Sequence, residues 1–158
     1  MTTLYHGTNV EFDGIRLDKC RPNKDFGRGF YLTSIRSQAV AMAVRRCNLE
    51  NTGMPTVQAY EFDEGYLFDK GLNVKIFNGV SKEWAEFILK NRKSRNNKKH
   101  GYDIVVGPVA DDGVVFQLNL YKQGFITLEK LVEELTYSKL NNQYMFATEA
   151  AISKLKRI

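Results

Sequence analysis

Two short apolar segments near the N-terminus constrain the fold of this chain most strongly. Residues 4–8 and 27–33 are each bounded by glycine and turn-forming residues, a pattern typical of buried strands. The first segment carries His6 and the second carries Tyr31, polar groups that apolar packing alone would not select. If the two strands are neighbours, these side chains line a small apolar cleft with a few directed polar atoms, which is the usual character of a ligand site.

The segment between them, residues 9–23, has the turn signal Arg21-Pro22-Asn23 and only scattered apolar positions. A long loop between two strands is uncommon in a compact domain unless it binds a ligand or covers a site. We therefore expect this loop to have a ligand-binding or lid role.

The composition indicates one globular domain spanning residues 1–158. Apolar residues make up 43% of the chain and aromatic residues 12%, which excludes a disordered chain. No apolar run approaches the roughly 18 residues that a membrane span needs. The N-terminal residues lack the basic flank and apolar core of a secretory signal. We expect a cytoplasmic protein without a membrane partner.

The net charge of +5 is concentrated in residues 90–100, which contain six basic residues and no acid. They are Lys90, Arg92, Lys93, Arg95, Lys98 and Lys99. Such a block is compatible with a nucleic-acid or acidic-protein partner. It is also compatible with a solvated loop that maintains solubility, which the lack of interleaved aromatic residues favours. His100 is expected to be solvent-exposed in this loop.

Cys20 and Cys47 are too few for a disulfide framework, and neither has metal-ligand spacing with His6 or His100. The sequence therefore predicts two free thiols and no metal centre.

Strand-like and helix-like patterns are mixed without the regular alternation of a parallel sheet, so the predicted class is α+β. The expected strands include a half-buried strand at 56–62, a short edge piece at 66–68, and strands at 73–77, 102–108 and 143–147. The expected helices begin after Ser34 or Ser37, Ser81, Asp112, Thr127 and Thr148. The first ends near residue 48, where Arg45 and Arg46 complement the helix dipole, and the last continues through Leu155.

Three phrases, residues 26–31, 102–112 and 143–151, occur in a fixed order with His6-Gly7-Thr8 before them. Together they resemble the ADP-ribosyltransferase superfamily, on the branch that includes diphtheria toxin and the poly-ADP-ribose polymerases. They also resemble a family of small bacterial proteins that was first catalogued as a domain of unknown function and is regarded as ADP-ribosyltransferase-like. The resemblance covers residues 4–155 and implies split mixed or antiparallel β-sheets flanked by helices.

The resemblance implies a set of site residues for NAD+ as co-substrate. The related enzymes carry a His on one core strand, a Tyr on the next and, usually, a Glu at the start of a late strand. These positions correspond here to His6, Tyr31 and Gln143. The His bonds a hydroxyl of the adenosine ribose, the Tyr ring stacks on nicotinamide, and the backbone of the following glycine, here Gly7, bonds the nicotinamide amide.

Further contacts are expected around that set. Thr8 and Thr33 could add hydroxyl contacts, and Arg28 could reach the pyrophosphate, which guanidinium groups recognise well. Asp111 and Asp112 are candidates for binding the acceptor nucleophile, although the same pair is equally compatible with a turn followed by a helix N-cap.

Position 143 departs from the family pattern, because Gln can hydrogen-bond but carries no charge. Losing that charge is expected to cost a few kcal/mol of transition-state stabilisation. The departure argues for a single transferred unit rather than a polymer. The resemblance thus implies a mono-ADP-ribosyltransferase that modifies a macromolecular acceptor, either protein, tRNA or DNA.

Small size and cytosolic character fit the toxin of a toxin–antitoxin pair, with an antitoxin protein as a further partner. Two alternatives remain open on the same scaffold. One is a catalytically silent module that binds NAD+ or ADP-ribose, and the other is an enzyme similar to the RNA 2′-phosphotransferases.

Overall fold

Strands and helices follow one another irregularly in the computed structural model, which describes residues 1–93, 99–136 and 140–158. This order confirms the α+β class. The strands are β1 (Thr2–Thr8), β2 (Phe30–Thr33), β3 (Thr56–Phe62), β4 (Val74–Ile76), β5 (Ile104–Pro108), β6 (Asn142–Phe146) and β7 (Leu155–Arg157). The helices are α1 (Arg36–Glu50), α2 (Lys82–Lys93), α3 (Asp112–Lys122), α4 (Leu128–Thr136) and α5 (Glu149–Ile152). Arg95 and Lys98 of the basic block lie outside the described residues.

The seven described strands form one mixed sheet in the order β4-β5-β6-β2-β1-β3-β7. The pair β4–β5 is parallel and the other pairs are antiparallel. β1 and β3 share seven directly opposed residue pairs, whereas β1 and β2 share one, Tyr5 with Thr33. Where the resemblance implied split sheets, the described strands form a single sheet that is joined most narrowly at this β1–β2 seam.

Each face of the sheet buries its own hydrophobic cluster, because side chains along a strand alternate between the two faces. Val105 and Met145 pack on one face with residues of α2, α3 and α4. Leu4, Leu32 and Phe146 pack on the opposite face. Trp84 of α2 is fully buried, with Nε1 donating a hydrogen bond to the Pro108 carbonyl.

Helix α1 packs directly over β1, and Gly7 makes this approach possible. The buried residues of α1 are Ala39 and Ala43, and a Cβ atom built at position 7 would lie 2.0 Å from the Ala39 carbonyl oxygen. The helix therefore approaches β1 at a distance that only glycine permits at this position.

Neither Ser34 nor Ser37 caps α1, so that prediction is wrong. Ile35 occupies the N-cap without a side-chain bond, and the Thr33 hydroxyl accepts a hydrogen bond from the Ile35 N–H instead. The sequence pattern did not predict the role of Thr33, because only the structure shows that α1 begins three residues after the end of β2. The side chain of the last strand residue is then close enough to bond the N-cap backbone.

Two other segments differ from the prediction. Residues 66–68 belong to a 3-10 turn, Glu64–Phe68, because the Asp63 carboxylate accepts a hydrogen bond from the Gly65 N–H and caps it. The last helix ends at Ile152, since the chain then pairs with β3 as strand β7. The helix expected after Asp112 is confirmed as α3, but its N-cap is Asp111, so Asp112 is the first helical residue instead of the cap.

Candidate functional site

His6 and Tyr31 line the same cavity, at the end of the seam where β1 and β2 diverge. Its volume is about 580 Å³, within the range of small-molecule sites. Its walls come from the loop after β1, the start of β2, the C-terminal turns of α1 and the turn that follows α1. The loop at residues 9–23 supplies a large part of the cavity wall.

The His6 imidazole is fixed by a bond to the neighbouring strand. Its Nδ1 lies 2.8 Å from the Tyr31 carbonyl oxygen, which can only accept, so Nδ1 carries the proton and Nε2 is an acceptor. The Phe30 ring packs against the imidazole with a centroid distance of 4.2 Å, and Phe12 approaches edge-on at 5.8 Å. Burial lowers the pKa of His6 to about 4, so the ring is neutral at physiological pH.

The Tyr31 hydroxyl is fully occupied by backbone groups. It donates to the Gly27 carbonyl oxygen at 2.6 Å and accepts from the Phe26 N–H at 3.0 Å. Burial raises the pKa of Tyr31 far above its ordinary value, so the hydroxyl stays protonated and does not act as a base. The Lys24 ammonium lies over the ring, 4.9 Å from its centroid.

The cavity is strongly cationic, since five basic side chains and one carboxylate line it. The basic residues are Arg16, Lys19, Arg21, Lys24 and Arg46. Glu50 is the carboxylate, and it contacts Arg21 at 2.7 Å and Arg46 at 3.2 Å. Burial, then the nearby Arg46 and Arg21, lower the pKa of Lys24. This excess of positive charge favours an anionic ligand.

Gln143 lies beside Tyr31 on the next strand but is not part of the cavity wall. It is directly opposite Thr33 across the β2–β6 ladder, while Met145 is opposite Tyr31. Tyr31 and Gln143 are therefore diagonal neighbours on one face of the sheet. The Gln143 side chain is partly buried, and its Nε2 lies 3.3 Å from Asp25 Oδ2.

A family profile described as "Protein of unknown function (DUF3990)" matches residues 2–157. The chain belongs to the DUF3990 family. No curated protein and no solved structure matches it. The DUF3990 description assigns no activity, so the function of this member must be argued from the geometry of its site.

In this DUF3990 chain, three residues expected to contact a cofactor do not line the cavity: Gly7, Thr33 and Arg28. Gly7 is buried under α1, and the Thr33 hydroxyl donates to Gln38 Oε1 at 2.9 Å while it supports the entry into α1. The Arg28 guanidinium lies 3.5 Å from the Asp18 carbonyl oxygen and lines a second cavity of about 510 Å³. Contact of Arg28 with a pyrophosphate stays a prediction, and in this structure its side chain lines the second cavity instead of the first.

Thr8 does line the cavity, and its hydroxyl donates to the Val10 carbonyl oxygen at 3.1 Å. That bond closes a local turn at the end of β1. Thr8 therefore has a structural role in the cavity wall, whether or not it also contacts a ligand.

The two candidate acceptor residues have separate local roles. The Asp111 carboxylate accepts a hydrogen bond from the Val114 N–H at 2.9 Å and caps α3, which is the N-cap alternative. Asp112 is exposed, with its carboxylate 3.9 Å from the Arg45 guanidinium. Neither residue lines the His6–Tyr31 cavity.

His100 is not a solvated loop residue, and that expectation is wrong. Its Nε2 donates to the Phe26 carbonyl oxygen at 2.7 Å, and its Nδ1 accepts from the Tyr102 N–H at 3.0 Å. Its ring packs between Phe87 and Tyr102. Desolvation lowers the pKa of His100. Its bond to Phe26 ties the loop before β2 to the segment before β5.

Sequence reasoning missed the residues that give the cavity its charge. Arg46 was assigned only to the helix C-terminus, and Arg21 only to a turn. The length of the loop at residues 9–23, which contains Arg21, was a usable signal for that part of the cavity wall. No comparable signal pointed to Arg46, because its distance from His6 depends on how α1 crosses β1.

Within residues 1–93, 99–136 and 140–158, no group of three or more His, Cys, Asp or Glu side chains is arranged to hold a metal ion. No helix in the same ranges is long and apolar enough to cross a membrane. Cys20 and Cys47 are free thiols, as predicted.

Proposed function

We propose that this protein is an NAD+-dependent mono-ADP-ribosyltransferase that modifies a macromolecular acceptor. One observation carries the proposal: His6 and Tyr31 line a single cationic cavity at a seam of the sheet. NAD+ requires an aromatic face for nicotinamide, acceptors for ribose hydroxyls and cations for its pyrophosphate. The cavity contains side chains of all three kinds.

His6 supplies an acceptor for a ribose hydroxyl. Because Nδ1 is held by the Tyr31 carbonyl, Nε2 is the free acceptor of a neutral ring. The low pKa of His6, about 4, keeps this acceptor unprotonated across the physiological range. A protonated ring would lose that acceptor and repel the adjacent cations.

Tyr31 supplies the aromatic face. The ring of Tyr31 already contacts a cation, the Lys24 ammonium. The nicotinamide ring of NAD+ is itself cationic and is attracted to the same π-face. The two backbone bonds of the hydroxyl fix the position of the ring, so stacking requires little further ordering.

Arg21, Lys24 and Arg46 supply the positive charge for the pyrophosphate. Arg groups bind phosphate oxygens in a bidentate manner, and Lys acts as a point charge. Phosphate oxygens would also relieve the mutual repulsion that lowers the pKa of Lys24. A dinucleotide therefore satisfies charges that Glu50 alone balances only in part.

The proposed reaction breaks the bond between the nicotinamide nitrogen and the ribose anomeric carbon. The electron pair leaves with nicotinamide, and positive charge develops on the ribose, as in glycoside cleavage. The acceptor nucleophile then forms the new bond to the anomeric carbon and releases a proton. Gln143 can hydrogen-bond a ribose hydroxyl but adds no charge, which favours the transfer of one unit.

A silent NAD+-binding module is the second candidate, and the environment of Gln143 favours it. The Gln143 amide is uncharged, does not line the cavity and is bonded to Asp25. A protein with this site could bind the dinucleotide without cleaving it.

Incubation of the purified protein with adenylate-labelled NAD+ and cell extract separates the two functions. We expect label on a macromolecule, and digestion with protease or nuclease then identifies the acceptor class. Binding measured by calorimetry without label and without nicotinamide release would favour the silent module. Loss of expression toxicity on Tyr31→Ala would support a toxin role.

Variants of the site provide the control for that experiment. We expect His6→Ala and Tyr31→Ala to abolish NAD+ turnover while circular dichroism shows the fold unchanged. Phe116→Ala removes an exposed aromatic ring outside the cavity and should leave turnover intact. Retained turnover in both site variants would reject the proposed site.

A further inference from the structure

Asp25 is a nearly buried carboxylate that accepts hydrogen bonds from three residues. Its Oδ1 lies 2.8 Å from Arg92 Nε and 2.5 Å from Arg92 Nη2. Its Oδ2 lies 3.3 Å from both the Ala110 N–H nitrogen and Gln143 Nε2. Asp25 is only 9% exposed and does not line the His6–Tyr31 cavity. Its negative charge is therefore neutralised by Arg92 and shared with an amide of the candidate site.

The bond to Asp25 fixes the orientation of the Gln143 amide. A carboxylate paired with a guanidinium can only accept, so the amide nitrogen of Gln143 must face it. The carbonyl oxygen Oε1 is then the end of the amide that remains free to accept. This follows from the chemistry of the pair and does not depend on how the amide atoms are assigned.

Asp25 is also connected to the aromatic wall of the cavity. The next residue, Phe26, donates its N–H to the Tyr31 hydroxyl. Tyr31 and Gln143 are diagonal neighbours on the same face of the sheet. One short segment thus orients both the aromatic ring and the amide.

Gln143 does not line the His6–Tyr31 cavity itself but is a diagonal neighbour of Tyr31, which does. We propose that Asp25 is a positioning residue that holds the Gln143 carbonyl oxygen free to accept a ribose hydroxyl of NAD+ bound against Tyr31. The proposal rests on the function proposed above. It also explains why position 143 carries an amide: a second carboxylate there would lie about 3.3 Å from Asp25, and like charges at that distance repel strongly in a partly buried setting. The uncharged amide is the side chain of matching shape that Asp25 tolerates.

A four-member cycle tests this pair: wild type, Asp25→Asn, Gln143→Glu and the double variant. NAD+ turnover and the thermal midpoint Tm are measured for each. We expect Gln143→Glu alone to reduce turnover about 10-fold, as for other residues that orient a reacting group. We expect it to lower Tm by about 4 °C. In the Asp25→Asn background the same change should raise both quantities, because the asparagine amide donates to the new carboxylate.

Asn142→Asp is the matched control, since it adds an acid at the exposed neighbouring position of β6. It should leave turnover and Tm unchanged. Additive effects around the cycle, or a Gln143→Glu variant as active and stable as wild type, would overturn the proposal.

The Tm cycle separates this inference from the proposed function. If wild type turns over NAD+ but the effects of the two substitutions on Tm and on turnover are additive, the positioning role fails and the proposed function stands. If wild type turns over no NAD+, the function and the catalytic part of the role fail together, while a non-additive Tm cycle still supports the orientation of the amide.

Asp25→Asn could prevent folding, because it removes the charge that pairs with Arg92. The comparison of Gln143→Glu with Asn142→Asp then decides. We expect Gln143→Glu to lower Tm by more than Asn142→Asp does, because only the first variant places a new carboxylate next to Asp25. Equal Tm values in the two variants would contradict the proposal.

Discussion

The Nδ1 atom of His6 lies 2.8 Å from the backbone carbonyl oxygen of Tyr31, across the strand pair that shares only one directly opposed residue pair. The side chain bridges β1 and β2 at the point where they separate. The same bond sets the tautomer of the imidazole and the position of the Tyr31 backbone. The geometry of the cavity therefore depends on how the two strands meet.

The stability of the protein should fall in mild acid because of His6. Its pKa is about 4 in the folded protein and 6.5 ordinarily, so between these values the unfolded chain binds a proton that the folded protein does not. The free energy of unfolding should therefore decrease as pH falls from 6.5 to 4, by about 1–3 kcal/mol. Urea unfolding at several pH values measures this loss.

His6→Asn is the control for that measurement. Asparagine can still donate to the Tyr31 carbonyl but does not titrate, so the variant should lose less stability over the same pH range. His100 also has a lowered pKa and contributes in the same direction in both proteins. Identical pH profiles for wild type and variant would show that His6 has no such effect.

Tyr31→Phe should distinguish the contribution of the hydroxyl from that of the ring. Removing the hydroxyl leaves the Gly27 carbonyl and the Phe26 N–H without a partner, which should lower the free energy of unfolding by about 1–3 kcal/mol. The ring remains, so NAD+ affinity measured by calorimetry should change only a few-fold. Tyr144→Phe removes a hydroxyl bonded to Glu64 outside the cavity and should leave affinity unchanged. Complete loss of binding in Tyr31→Phe would assign the hydroxyl, rather than the ring, to the ligand.

Arg46→Gln should weaken NAD+ binding about 10-fold, because it removes a charge-assisted contact to phosphate. The dependence of NAD+ affinity on salt concentration should also decrease in this variant, since one fewer cation acts on the ligand. Calorimetric titrations with NAD+ and ADP-ribose at two salt concentrations measure both effects. Arg36→Gln removes an exposed charge from the first turn of the same helix, outside the cavity, and should bind like wild type. Equal affinities in the two variants would remove Arg46 from the site.

Gly7→Ala should destabilise the protein by about 3 kcal/mol, the upper end for overpacking. The new Cβ would lie 2.0 Å from the Ala39 carbonyl oxygen and 2.9 Å from the Ala43 nitrogen. These are helix backbone atoms, which cannot rotate away, so α1 has to shift. Gly14→Ala meets nothing within 4 Å and should change stability by less than about 0.5 kcal/mol. Thermal and urea unfolding of the two variants would show no difference if α1 did not pack on β1 as described.

Local patterns in the sequence were sufficient to predict most of the strands and helices. Apolar residues alternate in residues 56–62 and recur at helical spacing after Ser81. Each period indicates the element that can bury those side chains on one face. The same reasoning failed at residues 66–68 and after Ile152, where a carboxylate cap and a distant strand pairing outweighed local preference.

The sequence by itself determined that His6 and Tyr31 lie on apolar strands, and the resemblance predicted that they would face a common site. Only the tertiary structure decided which charges surround them: Arg46 lines their cavity, whereas Arg28 lines the second cavity. It also brought Asp25 to Arg92 and Gln143, residues separated from it by 67 and 118 positions. The physical reason is that such contacts depend on the face to which each strand directs a side chain and on the path of the loops, and neither is encoded in the local pattern of the residues concerned.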